Sequence, residues 1–163
     1  MKILLLSDTH SYIDERILQH VQNTDEVWHA GDIGDLIVTD KIKATKPLRA
    51  VYGNIDGTEA RKEFPLYQIF MCEKVKVLMT HIGGYPGKYA KGIKDLLLRE
   101  QPQIFISGHS HILKVQYDKQ LRVLHLNPGA AGIYGHHQVR TMIRFEINHT
   151  DIKNMEIIEL KKN

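Results

Sequence analysis

The sequence predicts one α/β domain in which two β-sheets pack together and helices cover the outside. Over the first two thirds of the chain, apolar runs of strand length alternate with segments of helical periodicity. In the last third, apolar and polar residues alternate, as in half-buried antiparallel strands. A length of 163 residues, with 42% hydrophobic and 25% charged residues, suits a single domain over residues 1–163.

The first part of the chain is predicted to contain three strands with helices between them. In chain order, these elements are strand 3–7, helix 13–21, strand 26–30, helix 36–46, strand 48–52 and a short helix at 57–62. Ile13, Ile17 and Val21 recur at the spacing that puts them on one face of a helix. The second helix ends before Pro47, because proline lacks the backbone N–H that a helix interior needs.

The rest of the chain is predicted to be richer in strands. In chain order, the elements are adjacent strands 66–72 and 74–80, helix 88–100, strand 103–107, and alternating strands 121–126, 141–148 and 155–160. The first two strands are joined tightly near Glu73. The helix ends at Gln101, because a residue before proline disfavours the helical conformation.

Composition and charge exclude several classes of protein. The single cysteine, Cys72, excludes a disulfide framework and a CxxC metal site. No run reaches the roughly 18 apolar residues of a membrane helix, and the N-terminal apolar run meets Asp8 too early for a signal peptide. The net charge of +3 is spread along the chain without a basic stripe. These features predict a cytoplasmic protein without membrane contact, and they disfavour a nucleic-acid substrate.

Potential metal ligands stand directly after five of the predicted strands. They are Asp8, His10, Asp32, Asn54, His81, His109 and His111. Because the C-terminal ends of parallel strands share one edge of a sheet, we expect these side chains to converge on one crevice. Asp8 and His10 are two residues apart, and in extended backbone such residues point the same way. The pair His109 and His111 has the same spacing.

The chemical types of these ligands predict two transition-metal ions. Seven candidates exceed the needs of one ion and suit two ions that share a bridging carboxylate. Mixed nitrogen and oxygen ligands without thiolate favour Mn, Fe or Zn over Ca or Mg. Two metal ions about 3.5–4 Å apart form a recurring clamp for phosphoryl oxygens and can hold a hydroxide for in-line attack.

Five short motifs, in this order, resemble those of the calcineurin-like metallophosphoesterases: Asp8-x-His10, Gly31-Asp32, Gly53-Asn54-x-Asp56, His81 and Gly108-His109-x-His111. The short chain resembles the small YfcE-type phosphodiesterase branch of that family, and the resemblance covers residues 1–135. It implies a four-layer α/β/β/α sandwich of two mixed sheets with helices on the outer faces. It also implies a dinuclear Mn, Fe or Zn site.

The same resemblance implies which residues hold each ion. One ion would be held by Asp8, His10, Asp32 and His111, and the other by Asp32, Asn54, His81 and His109. Asp32 would bridge the two ions and Asn54 would also lie near the bound phosphate, so these two are the candidate catalytic residues. Manganese is the favoured metal, with iron, zinc and nickel as alternatives.

The sequence departs from the family pattern at two positions. Many members carry a histidine directly after the motif asparagine, where it can protonate the leaving oxygen, but here the residue is Ile55. General-acid assistance is worth typically 10²–10⁴-fold, so we expect diesters and aryl esters to react better than alkyl monoesters. The segment Asn127-Pro128-Gly129 resembles a supporting loop of the family, but Ala130 stands where a serine is common.

Together these features predict a metal-dependent phosphodiesterase acting on a small phosphodiester, with a metal-bridging hydroxide attacking phosphorus in line. A metal-binding protein-interaction scaffold with weak or no turnover is the alternative, since some relatives of this fold serve as scaffolds. A nuclease would use the same chemistry but needs a groove that follows phosphates. The resemblance also makes a homodimer or homotetramer an expectation.

Three features beside the predicted ligands have competing interpretations. We expect His29 to be a packed residue rather than a ligand. His136 and His137 lie between glycines and could border a pocket, although an exposed loop is favoured. The glycine-rich segment 83–89 follows a predicted ligand directly, and it either meets the substrate or only leads into the next helix.

Overall fold

The computed structural model of this protein describes residues 1–162, which form twelve strands and four helices. The strands are β1 (Lys2–Leu6), β2 (Glu26–His29), β3 (Leu48–Ala50), β4 (Tyr67–Cys72), β5 (Val75–Thr80), β6 (Gly84–Tyr85), β7 (Lys88–Tyr89), β8 (Ile104–Ile106), β9 (Leu113–Asp118), β10 (Val123–Pro128), β11 (Val139–Asn148) and β12 (Asp151–Lys161). The helices are α1 (Glu15–Gln22), α2 (Ile37–Lys43), α3 (Thr58–Glu63) and α4 (Ile93–Glu100). None of these four helices is long and apolar enough to cross a membrane.

Two five-stranded mixed sheets form the centre of the molecule. The first has the order β12-β11-β1-β2-β3, in which β1, β2 and β3 are parallel and β11 is antiparallel to its neighbours. The second has the order β4-β5-β8-β10-β9, in which parallel β5, β8 and β10 lie between antiparallel edge strands. Strands β6 and β7 form a separate hairpin. In each sheet, the central parallel strands therefore end at one common edge.

The main core lies between the two sheets. Ile3 and Trp28 of the first sheet are buried in the same apolar cluster as Val77 and Ile106 of the second. The indole N–H of Trp28 donates to Glu26 Oε1 at 2.8 Å, so this large side chain buries no unpaired donor. The sheets are therefore packed face to face through the predicted apolar strands.

The helices cover the two outer faces. Leu4, which points away from the neighbouring sheet, packs with Ile17 of α1 and Ile42 of α2. On the far side, Phe105 of β8 packs with Leu97 of α4. The four-layer α/β/β/α arrangement expected from the sequence is confirmed.

Two elements near the sheet edge differ from the predicted ones. β9 is absent from the predicted elements; Leu113, Val115 and Tyr117 alternate with polar residues in it, but Val115 and Tyr117 are exposed on this edge strand. The helix predicted over residues 88–100 begins only at Ile93, because β6 and β7 form a hairpin before it and Gly92 adopts a left-handed φ of 81°.

Candidate metal centre

The loops that follow β1, β2, β5 and β8 meet at one edge of the two sheets. Within the first sheet, the Asp8 N–H donates to Gly31 O at 3.0 Å, and within the second, the Gly108 N–H donates to His81 O at 2.9 Å. A further bond joins the two sheets, from the His109 N–H to Asp8 Oδ2 at 3.1 Å. Backbone bonds within each sheet and one bond to the Asp8 carboxylate thus bring the strand ends together.

Asp8, His10 and His111 form a first group of possible metal ligands. One donor atom from each lies within 4.8 Å of the others. His111 Nε2 is 3.2 Å from Asp8 Oδ1, and His10 Nε2 is 3.9 Å from the same oxygen. Asp8 is buried, whereas the two histidines are half-buried. This group therefore presents one anionic oxygen and two nitrogens to a common point.

Asp32, His81 and His109 form a second group that satisfies the same criterion. His81 Nε2 is 3.1 Å from Asp32 Oδ1, with both side chains buried. The two groups adjoin, because His10 Nε2 is 3.5 Å from Asp32 Oδ2 and His81 Nε2 is 3.8 Å from Asp8 Oδ1. Asp32 therefore lies beside a histidine of each group.

Five of these six residues adopt the left-handed backbone conformation. Their φ values are 54° for Asp8, 45° for His10, 52° for Asp32, 71° for His109 and 59° for His111. Such conformations cost about 1–3 kcal/mol each for non-glycine residues, and they cluster at functional sites. The expected extended backbone at Asp8–His10 and His109–His111 is wrong, because the chain turns sharply as each strand ends.

Two glycines permit the close approach of these turns. A Cβ atom at Gly53 would lie 2.0 Å from Asp32 Oδ1, and one at Gly108 would lie 2.2 Å from Ser7 Oγ. The Ser7 hydroxyl in turn donates to Asp8 Oδ2 at 2.6 Å. Glycine is therefore required before Asn54 and before His109, because a side chain at either position would collide with atoms of or next to the carboxylates.

The two carboxylates are held in their ionised form. Burial would raise the pKa of Asp8, but the neighbouring His10 and His111 rings outweigh it and hold that pKa below its ordinary value. The pKa of Asp32 is also lowered despite burial, through its contact with His81. Anionic oxygens beside imidazole nitrogens are the ligands that divalent transition metals bind.

Several of the buried polar atoms here have no hydrogen-bond partner within the described residues. They include Asp8 Oδ1, His10 Nε2 and His81 Nε2. The carbonyl oxygen of Ala30 accepts from His81 Nδ1 at 2.7 Å, so Nε2 is the ring nitrogen that faces the site and could bind a metal ion. Because unpaired buried polar atoms are costly, their convergence fits a site built for metal ions.

The loop after β3 lies against the second group. Asn54 is exposed and, with His81, lines a cavity of about 300 Å³. The backbone N–H of Ile55 donates to Asp32 Oδ1 at 3.1 Å, while its side chain is 47% exposed. The predicted ligand Asn54 is thus next to the group, and an alkyl side chain occupies the position after it.

A loop after β10 adds two side chains that the predicted ligand set does not contain. Tyr134 stacks near the His10 ring with centroids 5.0 Å apart, and His137 contacts the His111 ring edge-on at 5.4 Å. These residues and His136 line a cavity of about 660 Å³ beside His109 and His111. His136 is exposed, as expected for this loop, but His137 is half-buried, so the expectation is wrong for His137. In the sequence, the flanking glycines were the one indication that this loop comes close to the ligand residues.

Hydrogen bonds behind the ligands hold their loops in place. The Asp56 carboxylate accepts from the backbone N–H groups of Ile33, Gly34 and Gly53, at 3.1, 2.8 and 2.7 Å. His29 is fully buried, with Nδ1 accepting from Gly31 N–H at 3.1 Å. As predicted, His29 is a packed residue, and its position makes it a support of the loop that carries Asp32.

The segment Asn127-Pro128-Gly129, at the end of β10, also holds a ligand-bearing loop in place. The side-chain amide of Asn127 donates to Gly108 O at 3.0 Å, and its carbonyl accepts from Gly129 N–H at 3.0 Å. Asn127 therefore ties the end of β10 to the loop that carries His109. Ala130 is buried beside it and supplies no hydroxyl.

Comparison with known proteins gives a consistent family match. A family model of the calcineurin-like phosphoesterase superfamily domain matches residues 1–150. A probable metallophosphoesterase of Methanothermobacter thermautotrophicus is 28% identical over 135 residues, which cover 80% of this chain and 77% of that protein.

Solved structures resemble the whole chain. Vps29 of Entamoeba histolytica, complexed with Zn²⁺, superposes with a TM-score of 0.75 at 17% identity, and the match covers 100% of both chains. A novel archaeal phosphodiesterase superposes with a TM-score of 0.72 at 22% identity, covering 98% of this chain and 100% of that one. At these identities, the likeness concerns the fold.

Proposed function

Because this chain belongs to the calcineurin-like phosphoesterase superfamily, we propose that it is a metal-dependent phosphodiesterase with two divalent ions at the joint edge of its sheets. The observation that carries the proposal is that three buried atoms, Asp8 Oδ1, His10 Nε2 and His81 Nε2, converge beside Asp32 without a hydrogen-bond partner in the described part of the chain. When bound, the ions would lower the pKa of a water molecule and polarise the phosphoryl oxygens.

The proposed ligand sets follow the two groups. Asp8, His10, Asp32 and His111 would hold one ion, and Asp32, Asn54, His81 and His109 the other. The position of Asp32 beside both His10 and His81 supports a bridging role. The side-chain amide of Asn54, on the exposed rim, would orient the substrate phosphate. Nitrogen and oxygen ligands without thiolate favour Mn, Fe or Zn over Ca or Mg, and we propose manganese first, with iron, zinc and nickel as alternatives.

The reaction proposed is hydrolysis of a small phosphodiester. Water loses one proton to solvent as its oxygen bonds to phosphorus, the bond from phosphorus to the departing oxygen breaks, and that oxygen takes a proton from solvent. The exposed Ile55 offers no proton, which favours aryl or other good leaving groups. The likeness of the fold to an archaeal phosphodiesterase supports a diester substrate rather than a monoester. The cavity of about 660 Å³ has room for one of the two ester groups.

The first test is hydrolysis of bis(4-nitrophenyl) phosphate by the full chain, stripped of metal and reloaded with Mn²⁺. We expect turnover to appear with Mn²⁺ and to fall at least about 100-fold in Asp32→Asn, because the bridging charge is lost. Asp40→Asn is the matched control, since this carboxylate is exposed on α2. Wild-type inactivity with Mn²⁺, Zn²⁺, Fe²⁺ and Ni²⁺ alike would contradict the proposal.

Metal content provides an independent test of the two-ion arrangement. We expect two ions per chain in the wild type by elemental mass spectrometry. His111→Ala and His109→Ala remove one ligand from each group and should each reduce the content toward one ion. A single ion per wild-type chain at saturating metal would refute the dinuclear assignment.

The alternative function, a metal-binding scaffold, is supported by one exposed surface. β4 is an edge strand, and its outward side chains Tyr67, Ile69 and Met71 are 43%, 42% and 55% exposed. An open edge strand that carries a row of apolar side chains can serve as a binding surface for a partner protein. Metal binding without turnover would favour this function over catalysis. The homodimer or homotetramer stays a prediction.

A further inference from the structure

The loop from Gly108 to Ile112 separates two cavities. The cavity of about 660 Å³ lies on one side, and a smaller cavity of about 110 Å³ lies on the other. His109, Ser110 and Ile112 line both. Because His109 belongs to the second ligand group, the smaller cavity adjoins the proposed position of the reacting phosphate.

The smaller cavity is electropositive. Lys114 of β9 lines it, with Nζ 4.0 Å from the centroid of the Tyr85 ring, which belongs to β6. Among the described residues that line it, none is acidic. An uncompensated lysine in a partly enclosed space attracts anions. We call this space the basic cavity.

His125 of β10 lines the basic cavity and has an unpartnered nitrogen. Its side chain is 1% exposed, and Nδ1 has no hydrogen-bond partner in the described part of the chain. Nε2 is 2.9 Å from Ser107 Oγ, which is also 3.1 Å from Gly84 O. The Gly84 carbonyl can only accept, so the Ser107 hydroxyl donates to it and accepts from the His125 Nε2–H, which leaves Nδ1 without a proton.

Ser110 supplies another donor. Its hydroxyl oxygen accepts from the Ile112 N–H at 3.2 Å and from the Asn127 amide at 3.1 Å. Both accepted bonds leave the hydroxyl proton free to donate. Lys114 and Ser110 thus offer two donors, while Tyr85 and Ile112 form apolar walls.

We propose that the basic cavity binds a second anionic group of the substrate, a carboxylate or phosphate carried by one ester group of the diester. This proposal rests on the proposed function for the position of the reacting phosphate. A diester with two uncharged ester groups would leave the Lys114 charge without an anionic partner. An ester group that ends in an anion would pair with Lys114 and accept from the Ser110 hydroxyl.

The kinetic test compares two diesters that lose the same 4-nitrophenolate group. One is phenyl 4-nitrophenyl phosphate, and the other carries a carboxylate at the 3-position of the phenyl ring. In the Mn²⁺-loaded full chain, we expect kcat/KM to be about tenfold higher for the carboxylated diester, a typical effect of one charge-assisted hydrogen bond. Lys114→Met should abolish this preference, whereas Lys119→Met, an exposed lysine in the β9–β10 turn, should keep it.

A binding measurement separates this proposal from the proposed function. Calorimetry on the Zn²⁺-loaded chain compares phenyl phosphate with 3-carboxyphenyl phosphate, neither of which needs to react. Tighter binding of the carboxylated compound, lost in Lys114→Met, supports the basic cavity even if no diester is hydrolysed. Equal affinity for both compounds, or no binding of either, overturns it even if both diesters are hydrolysed.

Discussion

Ile55 is the residue that most sharply limits the proposed chemistry. Its backbone N–H supports Asp32, but its side chain is exposed and offers no proton to a leaving oxygen. A histidine at this position would need no change in the buried core, because the side chain already projects into open space. The residue can therefore be exchanged without disturbing the ligand groups.

Replacing Ile55 by histidine should broaden the reaction toward monoesters. We expect Ile55→His to raise the rate on an alkyl monoester, relative to bis(4-nitrophenyl) phosphate, by about tenfold or more, the lower end of general-acid effects. The measurement is kcat/KM for glycerol phosphate and for the diester. Ile55→Gln is the control, because it is polar but supplies no acid, and an equal gain in both variants would argue against the assigned role.

A second residue, His29, makes stability depend on pH. Burial lowers the pKa of His29 to about 4, below the value of about 6.5 in an unfolded chain. The unfolded state therefore binds more protons between these values, so the free energy of unfolding falls as pH drops from 7 toward 4. The loss attributable to His29 is about 2 kcal/mol between pH 7 and 5.

Urea unfolding at both pH values tests this prediction. In His29→Gln, stability should be lower at pH 7, because the bonds to Thr9 and Gly31 are altered, and its decline toward pH 5 should be shallower. Part of the decline should persist, since burial lowers the pKa of His125 in the same direction. A decline as steep as in the wild type would exclude His29 as its cause.

At the scale of elements, Arg140 and Asp14 join α1 to β11 and to the loop after β10. Asp14 caps α1 by accepting from the Ile17 N–H at 3.0 Å, and its carboxylate also accepts from Arg140 Nη1 at 3.0 Å. Arg140 is fully buried and donates from Nε to Ala131 O at 2.7 Å. The pair therefore connects the start of α1, which follows the His10 loop, to the start of the loop that carries His137.

The two partners should differ in their effect on stability. Asp14→Ala leaves a buried guanidinium unpaired and removes a helix cap, so we expect it to cost about 3 kcal/mol or more. Arg140→Met leaves a carboxylate that water can reach, so its cost should be smaller. The free energies of unfolding of both variants and of the double variant test this, and strict additivity in the double variant would show that the two side chains do not interact.

At the scale of the whole molecule, each ligand group joins the two sheets. Asp8 and His10 follow β1 of the first sheet, while His111 follows β8 of the second. The second group likewise combines Asp32 from the first sheet with His81 and His109 from the second. Bound metal would therefore cross-link the layers as well as supply chemistry.

Metal should accordingly raise the thermal stability of the protein. At a free metal concentration 100 times Kd, one site adds about 2.7 kcal/mol, which corresponds to roughly 5–10 °C for a chain of this size. Calorimetric melting with and without Mn²⁺ measures the shift. His109→Ala should reduce it, Glu59→Gln on the exposed surface of α3 should not, and an unchanged midpoint in the wild type would mean that metal does not bind the native fold.

The strand ends and their polar residues were accessible from the sequence because each depends on local pattern. A run such as Ile3–Leu6 predicts a buried strand, and Gly31-Asp32 predicts a tight turn with a carboxylate at its end. Hydrophobic periodicity, however, carries no information about which strands become neighbours. Their spacing singled out His109 and His111 as a pair, but it was the family resemblance, and not periodicity, that implied how they divide between the two groups.

The seven candidate ligands and the layered α/β class follow from residue types and periodicity, since strand-end polar residues need only the chain direction to share an edge. The left-handed backbone at Asp8 and Asp32, the approach of His137 to His111, and the cavity between Lys114 and His125 depend on contacts between segments far apart in the chain. Such contacts are set by how loops from both sheets fill the same space, and this packing is a property of the folded molecule as a whole.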